Sequence, residues 1–92
     1  MVRYNWHDDK KLSNTQRHLL DFEDAWKVFE NPYKVTLESA RGDEVRFMDL
    51  AYVDEQLLVL VYTLRGDVVR VISYRRAKHP KETRLYDAAR GW

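Results

Sequence analysis

The second half of the chain consists of apolar runs separated by short polar turns, a pattern typical of strands joined by hairpins. The runs cover residues 33–39, 45–53, 56–64 and 68–74. A tight Arg65-Gly66-Asp67 turn joins the last two. In the run 56–64, apolar side chains occupy both sets of alternate positions, which predicts a central strand that is covered on both faces.

The first third of the chain predicts a short strand followed by two helices. Arg3–Trp6 has the composition of a strand, and Asp8-Asp9 suits the start of a helix that continues to Arg17. Asp21 can cap a second helix over 22–29, whose apolar residues have the spacing of one helical face and are expected in the core. They are Phe22, Ala25, Trp26 and Phe29. Asn31-Pro32 ends this helix.

The end of the chain predicts a third helix, and the order of all the elements predicts the fold class. Pro80 occupies a favourable first position for a helix over 81–90. The order is then strand, helix, helix, four strands and helix. It predicts a small α+β domain over residues 1–92, with a mostly antiparallel sheet of four to five strands, two N-terminal helices and one C-terminal helix.

Composition narrows the class of protein without indicating an activity. With 92 residues, 45% hydrophobic and 13% aromatic, the chain can bury a thin core as one domain. It has no cysteine, so disulfides and thiolate metal sites are excluded. His7, His18 and His79 are too dispersed to predict a zinc site, and His7 and His79 are expected at the surface or at a helix cap. Without an apolar run of about 18 residues or an apolar N-terminal segment, we expect a cytoplasmic protein with no membrane association.

Charge is distributed unevenly, although the net charge is only +1. Residues 1–63 carry 8 Lys and Arg against 12 Asp and Glu, a net charge of −4, whereas residues 64–92 carry 8 against 3, a net charge of +5. The basic part is the kind of surface that binds a polyanion. The acidic part would suit a basic segment of a partner protein. Chance segregation of charge in so short a chain is the alternative.

Several short patterns follow one another in an order that resembles the BrnT family of type II toxins, which is grouped with the RelE-like ribonucleases. The resemblance begins at Trp6 and Asp8 and is strongest in the second half of the chain. The segments that carry it are Asn14-x-x-Arg17-His18, Phe22-Glu23-x-Ala25, Phe29, Val61-Tyr62-Thr63-x-Arg65-Gly66, Arg70-x-Ile72-Ser73, Arg75-Arg76-Ala77 and the pair Glu82 and Tyr86.

The resemblance implies a toxin that cleaves RNA without a metal or other cofactor and so inhibits translation. It also implies a cognate antitoxin similar to BrnA, with a ribbon-helix-helix domain. The toxin would contact DNA only through that antitoxin, when the pair represses its own operon. The chain departs from the family pattern in two places. The last helix is displaced by one residue, and Leu19 stands where a glycine would ease a left-handed exit from the helix, so His18 is expected to point differently.

Cleavage of RNA without a metal needs a base for the 2′-hydroxyl, cations for the pentacoordinate phosphate and an acid for the leaving 5′-oxygen. Arginine suits the second task because its planar fork bonds two phosphate oxygens and keeps its charge. The candidates are Arg65, Arg75 and Arg76. Alternatively, these arginines pair with acids of the N-terminal helices or remain solvated.

Neighbouring side chains on a strand point to opposite faces, so only one of Arg75 and Arg76 is expected to join Arg65. Regular alternation places Val69, Val71, Ser73 and Arg75 on one face. It places Arg70, Ile72, Tyr74 and Arg76 on the other. Which face carries the cleft stays open.

His18 is the best candidate for the acid or the base, because an unperturbed histidine titrates near 6.5. The alternative is a helix-terminal histidine bonded to backbone carbonyls. Tyr86 could stack on a base or contact phosphate, or it could pack the last helix on the sheet with Leu85 and Ala89. Further contacts to RNA are predicted for Lys10, Lys11, Arg70 and Lys78.

Three functions are compatible with the sequence: an endoribonuclease toxin, a nucleic-acid-binding module without catalysis, and an antitoxin-binding domain that has lost its activity. The first two are distinguished by whether an acid/base pair converges near Arg65.

Overall fold

The computed structural model describes residues 2–78 and 80–91, in which a sheet is flanked by helices. The strands are β1 (Arg3–Trp6), β2 (Val35–Arg41), β3 (Glu44–Val53), β4 (Gln56–Arg65) and β5 (Val68–Arg76). The helices are α1 (Asp8–His18), α2 (Trp26–Phe29) and α3 (Pro80–Arg90), with a 3₁₀ turn at Phe22–Asp24. The predicted α+β class is confirmed. His79, which was expected at the surface or at a helix cap, lies outside the described residues. In the described part of the chain, no helix is long and apolar enough to cross a membrane.

The strands lie in the order β1-β5-β4-β3-β2 across the sheet. From β2 to β5 each strand pairs antiparallel with the next, as predicted. β1 differs, because it pairs parallel with β5, with Arg3 opposite Val68 and Trp6 opposite Val71. The sheet is therefore mixed, and its first strand is placed by a partner from the far end of the chain.

Helices pack on both faces of the sheet. The 3₁₀ turn and α2 cover one face, called here the α2 face, whose core includes Leu58 and Leu60 of β4. The other is the α3 face, where Tyr86 of α3 packs with Leu57 and Val59 of β4. The prediction that β4 is covered on both sides is confirmed.

The helix predicted over 22–29 is instead a 3₁₀ turn followed by the short helix α2. Asp21 caps the turn as predicted, since its carboxylate accepts a hydrogen bond from the Glu23 N–H at 2.9 Å. The Ala25 N–H bonds the carbonyl three residues earlier, and a three-residue repeat then decides which side chains are buried. These are Phe22, Ala25 and Val28. Trp26, which was expected in the core, is 48% exposed.

A bulge in β5 reverses the predicted alternation of its side chains. The paired residues on either side of it are Val61 with Ser73 and Tyr62 with Val71. Ile72 is therefore an extra residue in the strand, and the faces change over at this point. Tyr74 joins Val71 in the core of the α2 face, so the predicted grouping of Val71 with Ser73 and Arg75 is wrong.

Beyond the end of β1, α1 lies along the edge of β5. There the Asn14 side chain pairs with the backbone of β5, as the backbone of a neighbouring strand would. Its side-chain Nδ2 donates to the Tyr74 carbonyl at 2.7 Å, and its Oδ1 accepts from the Tyr74 N–H at 3.1 Å. The same Nδ2 donates to the Leu20 carbonyl at 3.1 Å. Asn14 is only 7% exposed, and it fixes both the helix and the loop after it to the sheet.

Candidate nucleic-acid interface

A groove runs along the side of α1 that faces β5. Its wider part has a volume of about 390 Å³, and its narrower part, of about 170 Å³, extends toward the β4–β5 turn. His7, Lys10 and Ile72 line both parts, which together are called the α1 groove. The lining includes the acids Asp9 and Glu44. Its basic side chains are Lys10, Arg17, His18, Arg46, Arg65 and Arg70.

The bulge in β5 shapes the wall of this groove. Ile72 and Ser73 are adjacent in the chain, yet both line the wider part. Regular alternation would send neighbouring side chains to opposite faces of a strand. The bulge allows both to face α1, and it thereby provides a wall with one apolar side chain and one hydroxyl.

His18 is the last residue of α1 and lies at one end of the groove. Burial lowers its pKa from the ordinary value of 6.5, and so do nearby positive charges, which come from Lys78, Arg17, Arg75 and Arg76. The imidazole is therefore neutral at pH 7, and it can accept a proton. The cations around it favour an anion at the same place.

Arg76 holds the end of α1 against the sheet. Its Nη1 donates to the backbone carbonyl of His18 at 2.9 Å, and its Nε donates to Gln56 Oε1 at 3.1 Å. The carbonyls of the last helical turn need such donors, and a positive charge is favourable there. Arg76 thus positions His18; its predicted contact with phosphate stays a prediction.

Arg75 forms a two-pronged ion pair with Glu82 of α3. Its Nη1 and Nη2 donate to Oε1 and Oε2 of Glu82 at 2.9 and 2.7 Å, and Glu82 Oε1 also accepts from the Lys78 N–H at 3.0 Å. The two side chains are only 19% and 11% exposed, which strengthens the pair. The alternative in which this arginine pairs with acids of the N-terminal helices is wrong, because its partner comes from the C-terminal helix.

Arg65 lies at the opposite end of the β4–β5 hairpin from Arg75. Val68 faces Arg65, and Val59 faces Arg75. Seven residue steps along β5 separate Val68 from Arg75, which corresponds to roughly 20 Å at about 3.3 Å per step. The structure therefore does not bring Arg75 or Arg76 next to Arg65, contrary to the expectation of a shared phosphate site.

The fold places the residues that were predicted to contact RNA on different surfaces of the protein. Lys10 and Arg70 line the groove, and Lys78 is close enough to His18 to lower its pKa. Lys11 instead pairs with acids on the other side of α1. Adjacent lysines in the sequence are thus on different surfaces of the protein.

Tyr86 belongs to the core of the α3 face. It is 2% exposed, its hydroxyl donates to the Tyr33 carbonyl at 3.1 Å, and its ring meets the Tyr52 ring edge-on at 5.3 Å. The predicted alternative, that it packs the last helix on the sheet, describes this position. Of the two companions named for it, Leu85 is half-buried and Ala89 is exposed.

Arg17 and Arg46 line the groove but are not among the predicted contacts. Arg17 follows Lys10 by seven residues, so helical periodicity places both on one face of α1 and could have identified it. Arg46 gave no such signal, because its place in the groove depends on the register of β3 in the sheet.

The other histidine in the described residues caps a helix. His7 Nδ1 accepts from the Asp9 N–H at 3.3 Å, as predicted for a capping residue, and Asp8 and Asp9 occupy the first turn. Over residues 2–78 and 80–91, no three His, Asp or Glu side chains are grouped so that they could hold a metal ion.

A family model described as ribonuclease toxin, BrnT, of type II toxin-antitoxin system matches residues 6–82. The protein belongs to this family. The matched segment contains all of α1, the bulged strand β5 and both partners of the Arg75–Glu82 pair. The resemblance found in the sequence is confirmed. The family's description is that of a ribonuclease toxin of a type II toxin-antitoxin system.

This BrnT chain also aligns with chromosome partition protein Smc of Clostridium kluyveri (strain NBRC 12016), at 26% identity over 106 aligned positions. The alignment covers 100% of the chain and 9% of that protein. The chain therefore spans less than a tenth of this relative's length, and the similarity concerns one segment of it.

Leu19, the position at which the resemblance implies a glycine, adopts the left-handed conformation that glycine would adopt, with φ 58° and ψ 29°. Its N–H donates to the Thr15 carbonyl at 2.9 Å, so the helix ends as it would with glycine. The expectation of a different helix exit is wrong, while the expected change in the direction of His18 stays a prediction. Leu19 is 78% exposed, so packing does little to offset the backbone strain.

We expect Leu19→Gly to raise the free energy of unfolding by about 0.5–1 kcal/mol. The left-handed conformation costs an L-residue about 1–2 kcal/mol, and the greater freedom of glycine in the unfolded chain offsets part of the gain. Urea denaturation measures the change. The matched control is Leu12→Gly, an exposed leucine inside α1, which should instead lower stability by about 1 kcal/mol. Destabilisation by both variants would contradict the strain at Leu19.

Proposed function

We propose that this BrnT protein is a metal-independent endoribonuclease that cleaves RNA in the α1 groove and thereby inhibits translation. The observation that carries the proposal is the position of His18, which lines the α1 groove beside Arg17. Its imidazole is kept neutral by burial and by surrounding cations, and it lies at the end of a basic groove. A neutral base beside positive charge is what attack by a 2′-hydroxyl on a phosphate requires.

In the proposed reaction, His18 takes the proton of the 2′-hydroxyl. The 2′-oxygen then bonds to phosphorus while the bond between phosphorus and the 5′-oxygen breaks, and the 5′-oxygen takes a proton from solvent. The products are a 2′,3′-cyclic phosphate and a 5′-hydroxyl. DNA lacks the 2′-hydroxyl and is therefore not a substrate.

Cations near His18 stabilise the pentacoordinate phosphate in this proposal. Arg17 lines the groove beside His18, and Lys78 makes the largest charge contribution to the lowered pKa of His18. Both side chains are exposed and can turn toward a phosphate. At the narrow end, Arg46, Arg65 and Arg70 would bind phosphates further along the strand, which assigns Arg65 to substrate binding.

The cognate antitoxin in this proposal is similar to BrnA and carries a ribbon-helix-helix domain, so that DNA is bound only by the complex. Residues 1–63 carry a net charge of −4, which supports docking of a basic antitoxin segment on acids of this part of the chain, away from the α1 groove. We also place the protein with the RelE-like ribonucleases and in the cytoplasm, where its RNA target is found.

A second candidate is a protein that binds nucleic acid without cleaving it. The Arg75–Glu82 pair favours this function, because a carboxylate already engages both terminal nitrogens of an arginine near His18. Such an arginine is less able to bind the phosphate in the transition state.

The test is incubation of the purified protein with end-labelled RNA in the presence of EDTA. We expect fragments that end in a 2′,3′-cyclic phosphate, and no cleavage of the same RNA carrying 2′-O-methyl groups. Cleavage that appears only after magnesium is added would refute metal independence. Binding of both RNAs without cleavage of either would support the second candidate.

Lys10→Ala is expected to weaken binding of single-stranded RNA severalfold, since Lys10 lines the groove. Loss of one phosphate contact should also reduce the slope of log affinity against log salt by about 0.7. Fluorescence anisotropy over a range of salt concentrations measures both quantities.

The matched control is the neighbouring Lys11→Ala. The ammonium of Lys11 is 3.8 Å from Asp21 and 3.9 Å from Glu23, so we expect unchanged RNA affinity and a loss of stability below about 1 kcal/mol. Equal effects of the two variants on the salt slope would show that RNA does not follow the α1 groove.

A further inference from the structure

An aromatic pocket lies at the end of α3 that is distant from Arg75. It has a volume of about 380 Å³ and is lined by Asn31, Tyr33, Tyr52, Tyr86 and Arg90. Tyr33 is 62% exposed and Tyr52 40% exposed. Exposed aromatic side chains that share one concave site are characteristic of binding surfaces.

The pocket is held rigid by hydrogen bonds from buried or half-buried neighbours. The Asn31 side chain donates to the Tyr52 carbonyl at 3.3 Å and accepts from the Tyr33 N–H at 2.9 Å. Tyr86 supports the same region, because its hydroxyl donates to the Tyr33 carbonyl and its ring packs edge-on against Tyr52. The two exposed rings are thus carried on a fixed backbone, which lowers the entropy lost when a ligand binds.

We infer that this pocket binds a nucleobase of a single-stranded RNA. The guanidinium of Arg90 lies 5.2 Å from the centre of the Tyr33 ring. Planar rings beside a planar cation are the groups on which bases stack, largely without regard to sequence. The inference rests on the proposed function in one respect: the base belongs to the same strand whose phosphates follow the α1 groove.

The position of α3 connects the two sites. Glu82, Tyr86 and Arg90 recur at four-residue intervals, so they lie on one face of the helix. Glu82 bonds Arg75 near His18, while Tyr86 and Arg90 line the pocket. Eight helical residues span about 12 Å, a distance that three or four nucleotides of a stacked strand cover at about 3.4 Å each.

Charge favours a nucleic acid over a protein segment as the occupant. Residues 80–90, which form α3, carry Lys81, Arg84 and Arg90 against Glu82 and Asp87, a net charge of +1, and Glu82 is paired with Arg75. Lys81 and Arg84 are exposed on the same helix. A strand that places a base between the tyrosines would therefore have its phosphates beside a basic surface.

The experiment measures binding of a fluorescein-labelled 2′-O-methyl octanucleotide, which cannot react through its 2′ positions. Tyr33→Ala is expected to weaken binding about tenfold, because stacking on one aromatic side chain is worth about 1–3 kcal/mol and 1.4 kcal/mol is tenfold. Tyr33→Phe should retain wild-type affinity, since the ring is kept. Trp26→Ala is the matched control: this residue is 48% exposed but lies on α2, outside the pocket, and its loss should leave the affinity unchanged.

An abasic octanucleotide of the same length shows how much of the affinity comes from the bases and how much from the phosphates. Wild type should bind it more weakly than the normal strand, and Tyr33→Ala should bind both equally. Equal affinity of wild type for the two strands, or an undiminished affinity of Tyr33→Ala for the normal strand, would overturn the inference while cleavage in EDTA could still succeed. Base-dependent binding that Tyr33→Ala abolishes, in a protein that cleaves no RNA in EDTA, would support the pocket and refute metal-independent cleavage.

Discussion

His18→Gln should lower the rate of RNA cleavage by about 10²- to 10⁴-fold, the usual contribution of a positioned general base. Glutamine keeps a polar side chain but cannot accept the proton. Affinity for RNA should change less, because the surrounding cations remain. Single-turnover cleavage and anisotropy with the same RNA measure the two effects, and the melting temperature confirms that the variant is folded.

The matched control for this substitution is His7→Gln, at the opposite end of α1 from His18. His7 caps α1, so its loss should affect stability more than chemistry, with a cleavage rate within about threefold of wild type. A His18→Gln protein that cleaves at the wild-type rate would remove His18 from the mechanism.

The pH dependence of the cleavage rate distinguishes a general base from a general acid at His18. Because the pKa of His18 is lowered from 6.5, a general base at this position is already neutral at pH 7. The value of kcat/KM should then be constant above pH 7 and fall on acidification with a midpoint below 6.5. His18→Gln should abolish that fall. A rate that increases on acidification would instead make His18 the general acid.

Asn14→Asp should lower the free energy of unfolding at pH 7 by about 3–5 kcal/mol, the cost of an uncompensated buried charge. The side chain is 7% exposed, and its Nδ2 donates to the carbonyls of both Tyr74 and Leu20. A carboxylate would place negative charge against those two carbonyls. Urea denaturation measures the loss.

Acidification should reduce this defect, because a protonated aspartate is neutral and can donate one hydrogen bond. The free energies of unfolding of Asn14→Asp and of wild type should therefore differ less at pH 4 than at pH 7. Ser13→Asp is the matched control, since Ser13 is exposed on the same helix and should change stability by at most about 0.5 kcal/mol. Equal losses for the two variants would show that a charge on α1, rather than the edge contact of Asn14, causes the effect.

Local pattern was sufficient to predict the hairpins and most of the helical segments. The turn at Arg65–Asp67 and the two-sided burial of β4 follow from residue type and alternation alone. The bulge at Ile72 does not, because β5 is rich in residues that favour strands throughout and no glycine or proline marks the irregularity. The parallel pairing of β1 depends on a contact with β5 that no local signal encodes.

The sequence predicted which residue types the site contains, but it predicted little of how they are arranged in space. His18 and Lys10 were identified from their chemistry and do line the groove. The groove itself arises where α1 meets the bulged strand, and Asn14 fixes that contact through two bonds to Tyr74. For Arg75 the sequence predicted an RNA phosphate or acids of the N-terminal helices as partners, whereas the tertiary fold pairs it with Glu82.

The parallel pairing of β1 with β5 determines when the α1 groove can form during synthesis of the chain. Arg3 pairs with Val68, and Asn14 bonds a residue 60 positions later in the chain. A nascent chain emerges N-terminus first at about 5–20 residues per second, so α1 with His18 is made several seconds before the strand that positions it. A nascent chain that has not yet reached β5 therefore lacks the assembled α1 groove.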